Sequence, residues 1–123
     1  MAINDEVEEL FDEGLDSFNI DEYDEAIKKF DRVLALAADH PDALYYRALA
    51  WVNKGNPDRA IADFTKAIER NPHDADALIG RGEAWHSKGK VKQALADFKK
   101  ALIMDPENPD YKKLVSDLQE KIE

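Results

Sequence analysis

Shifted by 34 residues, this chain matches itself. Asp42–His73 laid over Asp76–Glu107 pairs Asp42/Asp76, Ala43/Ala77, Leu44/Leu78, Arg47/Arg81, Ala50/Ala84, Trp51/Trp85, Lys54/Lys88 and Gly55/Gly89. The match continues through Ala60/Ala94, Ala62/Ala96, Asp63/Asp97, Phe64/Phe98, Lys66/Lys100, Ala67/Ala101 and Pro72/Pro106. Carried back another 34 residues, the frame sets Leu10, Gly14, Ala26, Ile27, Phe30 and Val33 under Leu44, Ala48, Ala60, Ile61, Phe64 and Ala67. The units are therefore 7–40, 41–74 and 75–108, followed by a tail at 109–123. A fixed period of this size implies stacked supersecondary units, none of which can bury its apolar face alone. Stacks of this kind make curved surfaces more often than catalytic pockets.

Each unit holds two helical patterns. In the middle unit Leu44, Ala48 and Trp51 recur at intervals of four and three, the spacing of one helix face. Lys54-Gly55-Asn56-Pro57 breaks that pattern. Gly55 suits the left-handed turn after a helix, Asn56 can cap the next one, and Pro57 fits its first turn. A second face follows in Ala60, Ile61, Phe64, Ala67 and Ile68, and it ends at Asn71-Pro72, where the residue before proline is pushed out of the helical region. The tail opens Asn108-Pro109-Asp110 and reads as a capped helix with Tyr111, Leu114, Val115 and Leu118 on one side.

These residues resemble the tetratricopeptide repeat (TPR) family, whose 34-residue unit has a small residue in its first helix. Ala, an aromatic and Ala follow through the second helix, with Pro at the end. Ala48, Ala60, Phe64, Ala67 and Pro72 carry the resemblance in the second unit, and Gly82, Ala94, Phe98, Ala101 and Pro106 in the third. The first unit departs from it, with Ser17 in the tryptophan column, Asp21 in the turn-glycine column and Ala38 in the proline column. The resemblance implies an all-α, right-handed solenoid: three helix–turn–helix units and a solvating C-terminal helix, seven helices forming one domain over 1–123.

One charge pattern sets the register. Glu13, Arg47 and Arg81 share a column, Lys29, Asp63 and Asp97 share another, and both reverse sign together in the first unit. Antiparallel helices within a unit put these columns level, which predicts the pairs Glu13–Lys29, Arg47–Asp63 and Arg81–Asp97.

The net charge of −10 is localised. Residues 1–40 carry 13 Asp/Glu against 3 Lys/Arg, whereas 41–74 and 75–123 are each neutral. No basic surface is concentrated anywhere, so nucleic acid is not an expected partner. The longest apolar run, Val33–Ala38, is far short of a membrane span, and no membrane partner is expected. The chain has no cysteine, which excludes disulfides and thiol chemistry. It opens without the basic start and apolar run of a secretory signal, so a cytoplasmic protein is expected.

Nothing in the pattern points to catalysis. Ser17, Ser87 and Ser116 sit in no nucleophile motif, there is no glycine-rich phosphate loop, and His40, His73 and His86 share no ligand spacing. His73 with Asp74 and Asp76 reads as a capping turn rather than a metal site. Trp51 and Trp85 occupy one column of two repeats and read as packing residues. No enzyme activity, cofactor or metal is expected.

The resemblance also implies that the first helix of each unit lines a concave groove. By helical phase the groove residues are Phe11, Leu15 and Phe18, then Tyr45, Tyr46, Leu49, Val52 and Asn53, then Ile79, Glu83 and His86. Acidic Glu8, Asp12, Asp42 and Asp76 border this apolar floor. A subset of the family grips the acidic C-terminal tails of heat-shock chaperones with Lys, Asn and Arg. The columns that supply that clamp hold Phe11, Leu15, Tyr46, Asp76 and Gly80 here. The expected function is an adaptor that binds a peptide or helix of a partner protein, apolar with a basic flank and not an acidic chaperone tail. The alternative is a self-associating assembly module, although a monomer is the expected state.

Overall fold

A computed structural model describes residues 2–122. Among the described residues the chain forms seven α-helices and no strand: α1 (Ile3–Asn19), α2 (Tyr23–Leu36), α3 (Pro41–Asn53), α4 (Pro57–Arg70), α5 (Ala75–Ser87), α6 (Val91–Met104) and α7 (Pro109–Ile122). Polar residues cap α3, α4, α5 and α7, whereas α1, α2 and α6 have no side-chain cap. Asn56 Oδ1 accepts from the Arg59 amide at 3.2 Å, Asp74 Oδ1 from the Ala77 amide at 3.0 Å, and Asn108 Oδ1 from the Asp110 and Tyr111 amides at 3.0 and 3.2 Å. His40 caps α3 in the same way, its Nδ1 accepting from the Ala43 amide at 3.0 Å. The first helix runs back to Ile3, ahead of the repeat frame. Asp5 and Glu6 in its first turn complement the positive end of the helix dipole.

Gly55 and Gly89 turn the chain between helices with φ of 81° and 78°. Asp21, in the same column of the first unit, adopts φ 63°. The unit that departs in sequence therefore keeps the turn, and Asp21 accepts a hydrogen bond from the Tyr23 hydroxyl at 2.8 Å. Left-handed backbone costs an L-residue about 1–2 kcal/mol, somewhat less for Asp. Asp21→Gly is thus expected to stabilise the fold by roughly 0.5–1 kcal/mol, read as a higher urea midpoint. A lower midpoint would show that the Tyr23 hydrogen bond outweighs the backbone strain.

Successive helices pack on one another, but the two sides of the stack differ. Cα atoms of α1 and α3, and of α3 and α5, approach within 8 Å, whereas among the described residues α2, α4 and α6 do not approach each other in this way. First helices are crowded and second helices are splayed, so the stack curves with α1, α3 and α5 on its inner side.

Phe30, Phe64 and Phe98 are the largest fully buried side chains, one per unit. Each lies under a small residue of the facing helix. A Cβ on Gly14 would stand 2.5 Å from the Phe30 ring, and one on Gly82 2.5 Å from the Phe98 ring. Gly80 does the same between units, where a Cβ would stand 2.5 Å from Phe64. Ala26, Ala60, Ala94 and Ala101 are also fully buried, keeping the backbones close.

All three predicted pairs form. Lys29 Nζ lies 3.1 Å from Glu13, Arg47 bonds both oxygens of Asp63 at 2.8 and 2.6 Å, and Arg81 bonds both of Asp97 at 2.8 Å. The arginines also reach the preceding unit, Arg47 to Asp31 at 2.8 Å and Arg81 to the Thr65 hydroxyl at 3.2 Å. Asp63 and Asp97 are the two buried charged residues among those described, only 4 % and 3 % exposed. Further ties between units join Lys54 to Asp24, Lys88 to Asp58, and Arg70 to Asp39.

Candidate peptide-binding groove

The first helices carry a row of half-buried apolar side chains, aromatic on α1 and α3. Phe11, Leu15 and Phe18 of α1 are half-buried there, as are Tyr45, Tyr46 and Leu49 of α3 and Ile79 of α5. Tyr46 is the hub, with ring centroids 5.3 Å from Tyr45, 5.6 Å from Phe18 and 6.1 Å from Phe11. Phe11 in turn lies 5.0 Å from the His40 ring, and Tyr45 lies 5.8 Å from Phe64. Edge-to-face pairs at these distances hold the rings in place. Four of the predicted groove residues thus form one cluster that reaches down to the core.

The remaining predicted residues sit at the edges. Val52 is 41 % exposed, and the exposed Asn53 turns its amide back to donate to the Leu49 carbonyl at 2.9 Å. Glu83 and His86 are exposed on α5, where His86 Nε2 lies 3.4 Å from Lys121 Nζ of α7. Trp51 and Trp85 are half-buried against the cores of their units, with Arg59 over the Trp51 ring at 4.7 Å and Lys88 over Trp85 at 5.6 Å.

The seventh helix, expected to cap the stack, also stands beside the groove. Leu118 is buried beneath it, but Tyr111, Leu114 and Asp117 line a concavity with Ile79 and Glu83 across the gap to α5. The repeat itself carried the signal: 34 residues beyond Ile79, Gly80 and Glu83 stand Lys113, Leu114 and Asp117, the next members of the groove columns. Asp110 likewise continues the acidic column of Glu8, Asp42 and Asp76.

Acidic side chains and partial burial act together on the groove's phenols and on Glu83. Burial raises the Tyr45 phenol above its ordinary range, and Asp76, Tyr46, Asp74 and Glu83 push it further the same way. Burial also raises Tyr111, with Asp76, Asp105 and Asp110 adding to the effect. For Glu83 desolvation raises the carboxyl, while His86 pulls it down. Chemically the surface can hold apolar side chains and attract cations. Ser87 donates to the Ala84 carbonyl of its own helix, and among the described residues no three acidic or histidine side chains gather as a metal cluster. No described helix is long and apolar enough to cross a membrane.

Solved structures share this architecture. The chain superposes on the TPR domain of OM64 from Arabidopsis with a TM-score of 0.91 at 23% identity, covering 98% of this chain and 99% of that one. The second TPR domain of human RPAP3, solved with the HSP70 peptide SGPTIEEVD, gives 0.88 at 24% identity, covering 96% and 98%. The type III secretion chaperone SycD of Yersinia enterocolitica, solved with a peptide of the translocator YopD, gives 0.88 at 17% identity, covering 97% and 96%. These likenesses establish a shared fold. No curated protein sequence matches the chain significantly. Tetratricopeptide repeat models match residues 17–79 and 51–109. With the 34-residue period, the glycine or alanine against each buried phenylalanine, and the left-handed turns, these matches mean that the chain belongs to the tetratricopeptide repeat family, whose domains are in general non-catalytic interaction modules.

Proposed function

We propose that this protein is an adaptor whose concave face holds an apolar segment of a partner protein with a basic flank. The observation that carries this reading is the aromatic floor of Phe11, Phe18, Tyr45 and Tyr46 bordered by acidic side chains. Exposed apolar surface rimmed by polar residues marks interaction sites, and aromatic anchors supply much of the affinity at such sites. The acidic first unit steers a basic flank toward the groove. Structural neighbours bind peptides, among them SGPTIEEVD and a translocator peptide. An acidic tail is a poor occupant here, because the clamp columns hold Phe11, Leu15, Tyr46, Asp76 and Gly80, with no cation to receive its carboxylates.

Replacing Tyr45 and Leu49 together with Ala is expected to weaken partner binding at least tenfold while the far-ultraviolet circular dichroism keeps its helical form. Both side chains also touch the core, so thermal melts run alongside. Unchanged affinity in the folded double variant would remove the groove from the account.

One observation favours a second reading, self-association. At the far end of the stack Ile103 is 77 % exposed and lies with Leu102, Pro106 and Val115 around an apolar hollow edged by Lys99. The acidic first unit of another copy complements that edge. Light scattering decides between the two: a concentration-independent mass of 14.0 kDa removes self-association.

A further inference from the structure

The groove offers almost nothing to an extended backbone. The Asn53 amide N–H is already engaged with the Leu49 carbonyl, His86 lies beside Lys121, the floor on α3 is carbon and two phenol hydroxyls, and the carboxylates stand along its border. A strand laid there leaves its own N–H and C=O groups unpaired against apolar surface, which is costly. A helix pairs them internally. The same face is not uniform along its length: aromatic at α1 and α3, it becomes a notch at α5 and α7, with Ile79, Tyr111 and Leu114 as apolar walls and Glu83, Asp110 and Asp117 outnumbering Lys113 as its charges. Asp117 pairs with Lys113 on its own helix at 3.0 Å, an exposed pair. Glu83 shares the notch with Lys113 and has His86 on its own helix, but among the described residues neither a lysine nor an arginine forms an ion pair with it.

We propose that the occupant is an amphipathic helix whose apolar stripe lies on Tyr45 and Leu49 and whose Lys or Arg enters the notch between α5 and α7 to meet Glu83. The stem of such a side chain lies along Ile79 and Leu114 while its charge reaches the carboxylate at the rim, the arrangement long cationic side chains adopt at apolar surfaces. Packed helices stand about 8–10 Å apart, and a helix rises about 1.5 Å per residue. Glu83 stands on α5, one helix beyond α3 on this face, so a helix crossing the groove carries its cation roughly 5–7 residues from the residue seated on Tyr45. This inference rests on the groove reading and specifies its partner.

The test is a displayed library of random 18-residue peptides panned on the whole protein, with the enriched sequences measured by fluorescence anisotropy. Enriched peptides are expected to space apolar residues by three and four and to carry Lys or Arg roughly 5–7 residues away. A central proline, or Lys→Glu in the peptide, should each weaken binding at least tenfold. Glu83→Lys should lose at least tenfold on the Lys peptide and recover binding on the Glu peptide. Glu69→Lys, the same charge change on the exposed side of α4, should leave the affinity unaltered. Binding that tolerates the proline, or that is blind to the charge at residue 83, overturns this inference and leaves the groove standing. Binding undiminished by the Tyr45→Ala and Leu49→Ala pair overturns the groove itself, and enrichment of no peptide counts against both.

Discussion

Phe64→Ala is expected to lower the stability of the fold by about 3–5 kcal/mol, the usual cost of emptying a fully buried aromatic site. Phe64 is wholly enclosed, lies 5.8 Å from the Tyr45 ring, and fills the space that Gly80 leaves open in the next unit. One side chain therefore holds α3, α4 and α5 together. In a stack whose stability is a sum of units and the interfaces between them, losing the central filler weakens the middle unit and its junction with the third at once. Total stability for such a domain is about 5–15 kcal/mol, so the substitution removes a large share of it. Urea denaturation should show the midpoint falling sharply, with a second transition if the third unit separates. A loss under about 1 kcal/mol would mean that Tyr45 and Gly80 collapse into the space, and that the packing drawn for the centre is wrong.

The second large effect is electrostatic. Arg81→Ala strands Asp97, whose side chain is 4 % exposed, and breaking a buried pair from one side costs about 3–5 kcal/mol because an uncompensated charge remains. Asp97→Ala is expected to be milder. The Arg81 side chain is 17 % exposed, keeps the Thr65 hydroxyl, and can turn its guanidinium toward water. The double variant should be more stable than Arg81→Ala alone, since the stranded charge is gone. The first-unit pair provides a contrast. Glu13 and Lys29 are 44% and 29% exposed, and Lys29→Ala should cost at most about 1 kcal/mol. Additive losses in the Arg81 and Asp97 cycle, or equal costs for Lys29→Ala and Arg81→Ala, would show that burial does not govern these pairs.

Those pairs were also the sharpest structural feature legible in the chain before its coordinates. Two columns that reverse sign together in one unit have a simple explanation only if they touch, and Glu13–Lys29, Arg47–Asp63 and Arg81–Asp97 do. Caps at Asn56, Asp74 and Asn108 were equally readable, because each depends on a few neighbouring residues. Contacts at the junctions between units are less legible. Arg47 reaches Asp31 and Arg81 reaches Thr65, which share a column but are one charged and one neutral, so no repeated chemistry announces the contact. Gly80 was a column of the clamp motif to the eye, and the ring of Phe64 beneath it appears only when two units are stacked. Tyr111 and Leu114 look like ordinary apolar residues of a closing helix. Their place on the groove wall follows from where α6 sets α7 down. Asp21 shows the reverse case, where the residue type departs and the φ of the turn persists because both flanking helices demand it.

Of the groove residues named from helical phase, Phe11, Phe18, Tyr45 and Tyr46 pack on one another and on the core. Substitutions there mix affinity with stability, and Glu83, exposed and away from the buried rings, separates the two. The most direct measurement is chemical-shift mapping of the isotope-labelled protein titrated with the tightest-binding peptide from the library. The account predicts the largest shifts at Tyr45, Leu49, Ile79, Glu83 and Tyr111, on α3, α5 and α7. Shifts confined to the outer helices α2, α4 and α6 would contradict it.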